Sequence, residues 1–334
     1  ILKGMNQMKT VGIILAAGKG TRMNSIYNET AKVCFKIFDK TMIEYVVDSL
    51  KQANIQELIT IVGYKAEEVI TLLNDKSQYV YQKEQKGTGH AIMQVLPQLQ
   101  SNQTAMIVCG DTPLLTSKTL NALLEFHQNN QNDATILEAE VEQPFGYGRL
   151  VKENGRLLKI VEQKDATEKE KKIKTINTGV YVINTNDLLH YIPMLQPKNQ
   201  QNEYYLTDIF QLMVKDQKKV ACYPTLDCLE FLGVNDRIQL TSATKIIQKR
   251  INDYHMLKGV TIVDPNTTYI GKDVLIGNDT IIYPNSFIDG QTIIGANCKI
   301  GPNAIIHNAL IQDCVIIKNV VVENEHVDIQ SKKE

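Results

Sequence analysis

The stretch GIILAAGKGTRM (12–23) decides how the first two thirds of the chain are read. The apolar run TVGIILA (10–16) has the character of a strand buried on both faces. It ends in a turn holding Gly18 and Gly20, with Lys19 and Arg22 alongside. Glycine lets a backbone turn sharply and lets a ligand approach without a Cβ in the way. Amide N–H groups in such a turn point outward and bind anions, as a helix N-terminus does. The spacing is neither G-x-x-x-x-G-K-[ST] nor G-x-G-x-x-G. Taken alone, the turn stays open between an anion cradle and a tight strand-to-helix connection with solvated cations.

Downstream, strand-like and helix-like runs alternate. TMIEYVVDSLKQA (41–53), AEEVITLLND (66–75), HAIMQVLPQL (90–99) and SKTLNALLEFHQ (117–128) carry apolar residues at helical spacing. ELITIVG (57–63), YVYQ (79–82) and AMIVCGD (105–111) read as strands. Such alternation predicts an α/β domain with a Rossmann-like, mostly parallel sheet and helices on both faces. Ligands of these sheets bind beyond the carboxyl ends of the strands, where LAAGKG and CGD fall.

Past residue 235 the pattern changes. DRIQLTSATKIIQKRINDYHML (236–257) reads as a long connecting helix. The period then becomes six, with isoleucine at 270, 276, 282, 288, 294, 300 and 306. Four residues after the first six of these come Val274, Thr280, Ser286, Thr292, Cys298 and Ala304, all small or β-branched. This is the signature of a left-handed parallel β-helix of hexapeptide repeats, with isoleucine inside and the small residue at the corner. The register breaks near HNALIQDCVI, which predicts a loop or bulge, and three to four coils of 18 residues are expected. The expected domains are 5–234, a connecting helix 235–257, and a short β-helix 258–334.

At 334 residues the chain suits two domains. Its net charge of -1 argues against nucleic acid as the main partner. No apolar run approaches the roughly 18 residues of a membrane span, and no secretory signal is visible. Six cysteines at 34, 109, 222, 228, 298 and 314 form no C-x-x-C pair, which reads as reduced thiols in a cytoplasmic protein. The six histidines show no metal-ligand spacing.

LAAGKGTRM followed by AKV (31–33) resembles the sugar-1-phosphate nucleotidyltransferases. QKEQKGTGHA (82–91), CGDTPLL (109–115), GYGRLV (146–151), IVEQKDAT (160–167), INTGVY (176–181), NEYYLTDI (202–209) and GVNDRIQL (233–240) then resemble, in order, the uridylyltransferase domain of the bacterial N-acetylglucosamine-1-phosphate uridylyltransferases. The resemblance covers nearly the whole chain. It implies transfer from UTP to N-acetylglucosamine-1-phosphate with Mg2+ as cofactor, for cell-wall precursors, in a homotrimer assembled through the β-helix.

Carried over by position, the resemblance gives Arg22 and Lys32 the triphosphate and the reacting phosphoryl group. Leu15, Ala16, Ala17 and Gly18 line the base and ribose end, Gln82, Gly87 and Thr88 recognise the base, and Cys109 and Gly110 belong to the nucleotide site. Gly148, Glu162, Asn177 and Asn235 form the sugar pocket, and Asp111 and Asn235 hold the metal through oxygen, as a hard cation requires. Each residue also has a plainer reading. Asp111 can cap the helix at 117, Glu162 can pair with Lys164 at the surface, Asn177 and Asn235 can serve turns, and His90 can start a helix.

The chain departs from the family pattern in three places near the site. Ala31 stands where proline usually precedes the lysine, Cys109 where tyrosine is frequent, and Gln163 where histidine is common. The positions of the family's acetyltransferase centre find no counterpart in VVVENEHVDIQSKKE (320–334), so acetyl transfer is not expected. Two alternatives remain: a related transferase using another sugar or nucleotide, and a nucleotide-sugar-binding protein without turnover. Intact Arg22, Lys32, Asp111 and Asn235 speak against the second.

Overall fold

The computed structural model describes residues 9–24, 30–225 and 227–328, so residues 5–8, 25–29, 226 and 329–334 of the expected domains lie outside it. Contacts divide the chain into two units, with boundaries at Phe35/Lys36, Thr41/Met42 and Asp236/Arg237. Residues 36–41 therefore group with the C-terminal part of the chain.

The first unit is built on β1 (Thr10–Ala16), β2 (Glu57–Val62), β3 (Gln78–Tyr81), β4 (Thr104–Cys109), β5 (Ala134–Glu140), β6 (Arg149–Glu153), β7 (Arg156–Val161), β8 (Thr175–Asn184) and β9 (Val220–Pro224). The sheet order is β9-β5-β8-β4-β1-β2-β3, with β6 joining β8 to β7. β1 runs parallel to both β2 and β4 and is covered on both faces, which is why its sequence is an unbroken apolar run. Val11 and Ile13 pack with Ile92 of helix α3 (Thr88–Val95) and Leu188 of α5 (Thr185–Tyr191). Ile14 and Ala16 face the other way, toward Val46 of α1 (Met42–Gln52) and Leu123 of α4 (Ser117–Asn129).

The sheet is mostly parallel along this order, but β8 is antiparallel to β4 and β5. Alternating burial looks the same in either direction, so the sequence pattern carries no sign of the reversal. The β8–β5 register shifts between Asn177 and Tyr181, a bulge centred on Gly179. Because β1 leads to β2 and β3 on one side and has β4 on the other, the carboxyl ends of β1 and β4 flank the point where strand order reverses. A crevice opens at such a point.

The second unit holds α7 (Arg237–Leu257) and three parallel sheets of four two- or three-residue strands each. Successive coils stack in register: Ile262–Ile282–Ile300–Ile317, Ile270–Ile288–Ile306–Val322, and Ile276–Ile294–Ile311–Val327. The small residues between them are buried, as the hexapeptide pattern predicts. The buried hydroxyls are satisfied locally: Thr280 Oγ1 donates to the Gly295 carbonyl at 2.8 Å, and Thr292 Oγ1 to the Asp289 carbonyl at 2.6 Å. The register break is not an inserted loop or bulge. The side from Ile306 to Ile311 is one residue shorter than its predecessors, and Ile294 pairs with Ile311 where Ile288 pairs with Ile306. Shortening one side keeps the next apolar residue inside.

Candidate active site

Beyond β1 the chain runs through Gly18 to a single 3₁₀ turn, Thr21–Met23, with Gly20 before it in the left-handed region at φ 61°. The strand therefore leads to this short turn and not to an α-helix. The two glycines have different reasons. A Cβ on Gly20 would lie 2.5 Å from the Lys32 Cβ, so glycine here lets the Lys32 stem pass behind the turn. A Cβ on Gly18 would meet nothing within 4 Å. Nothing among the described residues requires that position to be bare.

Behind the turn the expected cations and oxygens meet. Arg22 Nη2 donates to Asn235 Oδ1 at 2.7 Å, and Lys32 Nζ donates to the same oxygen at 2.7 Å. Lys32 Nζ also pairs with Asp111 Oδ2. The Val234 amide donates to the Asp111 carbonyl at 2.9 Å, and Asn235 Nδ2 to the Gly233 carbonyl at 3.1 Å, so the loop carrying Asn235 is tied to the end of β4. Asp111 is not the cap of α4, because the Thr116 side chain accepts from the Thr119 amide there. One carboxylate oxygen and one amide oxygen thus converge on a cationic centre. Both are hard donors, and a small divalent ion that keeps waters and phosphate oxygens as its other ligands fits that set.

A first cavity of about 220 Å³, whose wall includes none of Arg22, Lys32, Asp111 and Asn235, is lined by Leu15, Ala17, Gly18, Gln82, Gly87 and Thr88. Gln85, Ala91 and Glu203 complete its wall. Gln82 is buried, and its Nε2 donates to the Gly87 carbonyl at 3.0 Å. The Thr88 hydroxyl accepts from the Leu206 amide at 3.0 Å, and the Gly89 amide donates to the Tyr204 carbonyl at 2.7 Å. The segment 204–206 therefore clamps the start of α3.

A second cavity of about 210 Å³ shares Leu15 and Thr88 with the first. Gly148, Glu162 and Asn177, which the resemblance groups together, line it, and Cys109, Tyr147 and Thr207 join them. Glu162 Oε1 accepts from the Thr207 hydroxyl at 2.9 Å. Burial pushes the Glu162 carboxyl above the usual carboxylate range, and the charges of Asp208 and Asp165 push the same way, against the Thr207 bond and Arg149. Asn177 Nδ2 donates to the Tyr181 hydroxyl at 2.6 Å and its Oδ1 accepts from the Gly179 amide at 3.2 Å, which sets the side chain at the mouth of the bulge.

Some expected members stand elsewhere. Ala16 is buried against α1 and α4 and lines neither cavity, since alternate residues of a strand face opposite ways. Cys109 borders the second cavity and not the first, and burial pushes its thiol up to about 12. Gly110 packs against Val33, and its amide donates to the Leu15 carbonyl at 2.9 Å. Asn235 stands with the cations and not among the residues lining the second cavity. Lys164 reaches Gln201 and leaves Glu162 to Thr207.

Arg149 and Gln163 carry a role that spacing alone does not reveal. The buried Arg149 guanidinium donates to the Tyr147 carbonyl and, at 2.6 Å, to Gln163 Oε1. The same oxygen accepts from the Gly146 amide at 3.0 Å. Together they hold the loop that forms one wall of the second cavity. The signal was the placement of both residues inside quoted motifs, GYGRLV and IVEQKDAT.

The model of the nucleotidyl transferase family matches residues 11–228, and that of the bacterial transferase hexapeptide (six repeats) matches residues 273–308. Over 322 residues, 96% of this chain and 70% of the relative, the chain is 44% identical to a Geobacillus protein named bifunctional protein GlmU. It is 47% identical over 290 residues, 86% of this chain and 64% of the relative, to the protein of that name in Staphylococcus saprophyticus. A Bacillus anthracis structure described as a candidate glucose-1-phosphate thymidylyltransferase, solved with sucrose, aligns at a TM-score of 0.58 and 23% identity. It covers 71% of this chain and 94% of its own, a likeness in fold.

Proposed function

The chain belongs to the nucleotidyl transferase family, among the GlmU proteins, and from that premise we propose that the first-unit cleft moves a uridylyl group from UTP to N-acetylglucosamine-1-phosphate. A phosphate oxygen of the sugar phosphate forms a bond to the α-phosphorus of UTP. The bond from that phosphorus to the bridging oxygen breaks, and pyrophosphate leaves with the electron pair. The products are UDP-N-acetylglucosamine and pyrophosphate.

One observation carries the reading: two cavities share Leu15 and Thr88 in their walls, and Arg22 and Lys32 meet on Asn235 Oδ1 in the segments that follow the ends of β1 and β4. The step joins two anions, so the protein's work is alignment and neutralisation, with no nucleophilic side chain. Arg22 and Lys32 face the phosphates. Gly18 leaves room for a ligand to lie against the backbone, which accounts for a bare position that no described residue packs against. Gln82 and the Gly87–Thr88 backbone meet the base. Glu162 and Asn177 meet sugar hydroxyls. Nucleotidyl transferases use a divalent metal. Here Asp111 and Asn235 would hold Mg2+, which when bound neutralises phosphate charge.

Pyrophosphate release with UTP, Mg2+ and a panel of sugar-1-phosphates tests the reading. N-acetylglucosamine-1-phosphate is expected to give the highest kcat/KM. Product from glucose-1-phosphate alone overturns the sugar assignment, and nucleotide binding without product favours the non-catalytic alternative.

Glu162 adds a pH dependence. Its ionised form is the stronger acceptor of hydroxyl donors, and its raised pKa means that protonation begins at a higher pH than for an ordinary glutamate. The acid limb of kcat/KM for the sugar phosphate is therefore expected above the usual carboxylate range. Glu162→Gln should lower kcat/KM and remove that limb. A limb unchanged in the variant assigns it to another group.

In the second unit, Leu275, Ile293 and Leu310 stack on the outer face of one sheet and are each about half exposed. An apolar ladder of this kind suits self-association, and a closed threefold assembly covers it on every copy. A molar mass near three times 37.7 kDa in solution is expected. A mass of 37.7 kDa at working concentration contradicts it. All six cysteines are free thiols, which suits the reducing cytoplasm.

A further inference from the structure

Gln82 can present a nucleobase with either an oxygen or an N–H, and the residues around it decide which. The Gly87 carbonyl can only accept, so the amide edge facing it at 3.0 Å must be Nε2. His90 Nδ1 lies 3.1 Å from Nε2, within reach of its second hydrogen. That nitrogen must then offer its lone pair, and the neutral ring carries its proton on Nε2. Gln94 Nε2 also lies 3.4 Å from His90 Nε2, but it already donates to the His90 carbonyl at 3.1 Å. A neutral imidazole has one lone pair, and the shorter contact takes it. Both Gln82 N–H groups are thereby engaged, and Oε1 is the group left to meet a ligand in the cavity that Gln82 lines.

We propose that His90 is a positioning residue for base selection: its Nδ1 lone pair locks the Gln82 amide with Oε1 toward the ligand, so that the site takes a base whose edge offers an N–H between carbonyls, the imide of uracil, and disfavours cytosine, whose ring nitrogen offers a lone pair there. His90 need not touch the nucleotide. It stands on the first turn of α3, with its ring centroid 6.2 Å from that of Tyr204. The plainer reading, a residue that merely begins a helix, does not account for the contact with Gln82.

The inference rests on the uridylyl-transfer reading and is tested apart from it. Wild type, His90→Leu and His90→Asn are compared for kcat/KM with UTP and with CTP, and for equilibrium binding of each nucleotide. His90→Leu removes the lone pair, and the UTP-over-CTP preference should fall by about tenfold, the scale of one lost hydrogen bond. His90→Asn can supply an acceptor from its side-chain oxygen and should restore most of the preference. A merely structural role would lower both nucleotides together and leave their ratio unchanged. That result, or an unchanged UTP-over-CTP ratio in a folded His90→Leu protein, overturns the proposal. Failure of wild type itself to bind or use UTP overturns the transfer reading and the base assignment with it.

Discussion

Replacing Lys32 by alanine is expected to lower kcat by roughly 10²–10³-fold, by analogy with the loss of one preorganised oxyanion donor. Lys32 is the point at which the site's charges meet, since its ammonium contacts both Asp111 and Asn235 while its stem threads behind Gly20. The stem passes where an added Cβ at residue 20 would sit, so the ammonium is aimed by the turn and is not free to sweep. Loss of the charge should fall on kcat more than on KM for UTP, because repulsion between the two anions peaks as they react. Lys32→Arg keeps the charge but presents a broad planar fork where a compact ammonium fitted, and should recover only part of the rate. Steady-state kinetics of the three proteins decides the matter. A Lys32→Ala enzyme within a few-fold of wild type would remove Lys32 from the chemistry.

The largest effect on stability is expected at Ile300→Ala, with a cost of about 2–5 kcal/mol. Ile300 is fully buried and stacks between Ile282 below and Ile317 above. Neither neighbour can move inward without breaking the hydrogen bonds from the Ile281 amide to the Cys298 carbonyl and from the Lys299 amide to the Val315 carbonyl, each 2.9 Å. The cavity therefore stays open and the full penalty is felt. Lys299→Ala, one residue away on the outer face, should stay within about 0.5 kcal/mol of wild type. Chemical denaturation of both variants measures the contrast, and similar midpoints would mean that the inside-outside assignment is wrong.

Much of this architecture was legible in the residues. The repeat at 270–306 predicts inward isoleucines and small corner residues, because a coil of fixed size accepts only one residue type at each place. The continuous apolar run of β1 predicts a strand covered on both faces. The reversal of β8 was not legible, because TINTGVYVIN alternates inward and outward in the same way whichever direction it runs. The shortened side after Ile306 is not the loop or bulge that the lost register suggests, since a register change in sequence does not say whether a residue is added or removed.

At the site, motif order brought Arg22, Lys32, Asp111 and Asn235 to attention, and the structure brings the four together. The departure of Ala16 follows from strand alternation, which sends Leu15 and Ala17 to the cavity side and Ala16 to the other. What spacing could not supply was the second layer of contacts, such as Gln163 to Arg149 or His90 to Gln82. Those depend on where separate loops come to rest against one another.

Each strand of the β-helix pairs with strands one coil away, 16 to 20 residues along the chain, and with nothing more distant within its sheet. Such an array grows by winding: once one coil exists, the next has only a short search before it lands on a ready template. The reverse holds on heating or under tension, where the outermost coil, having a neighbour on one side alone, is the first to peel away.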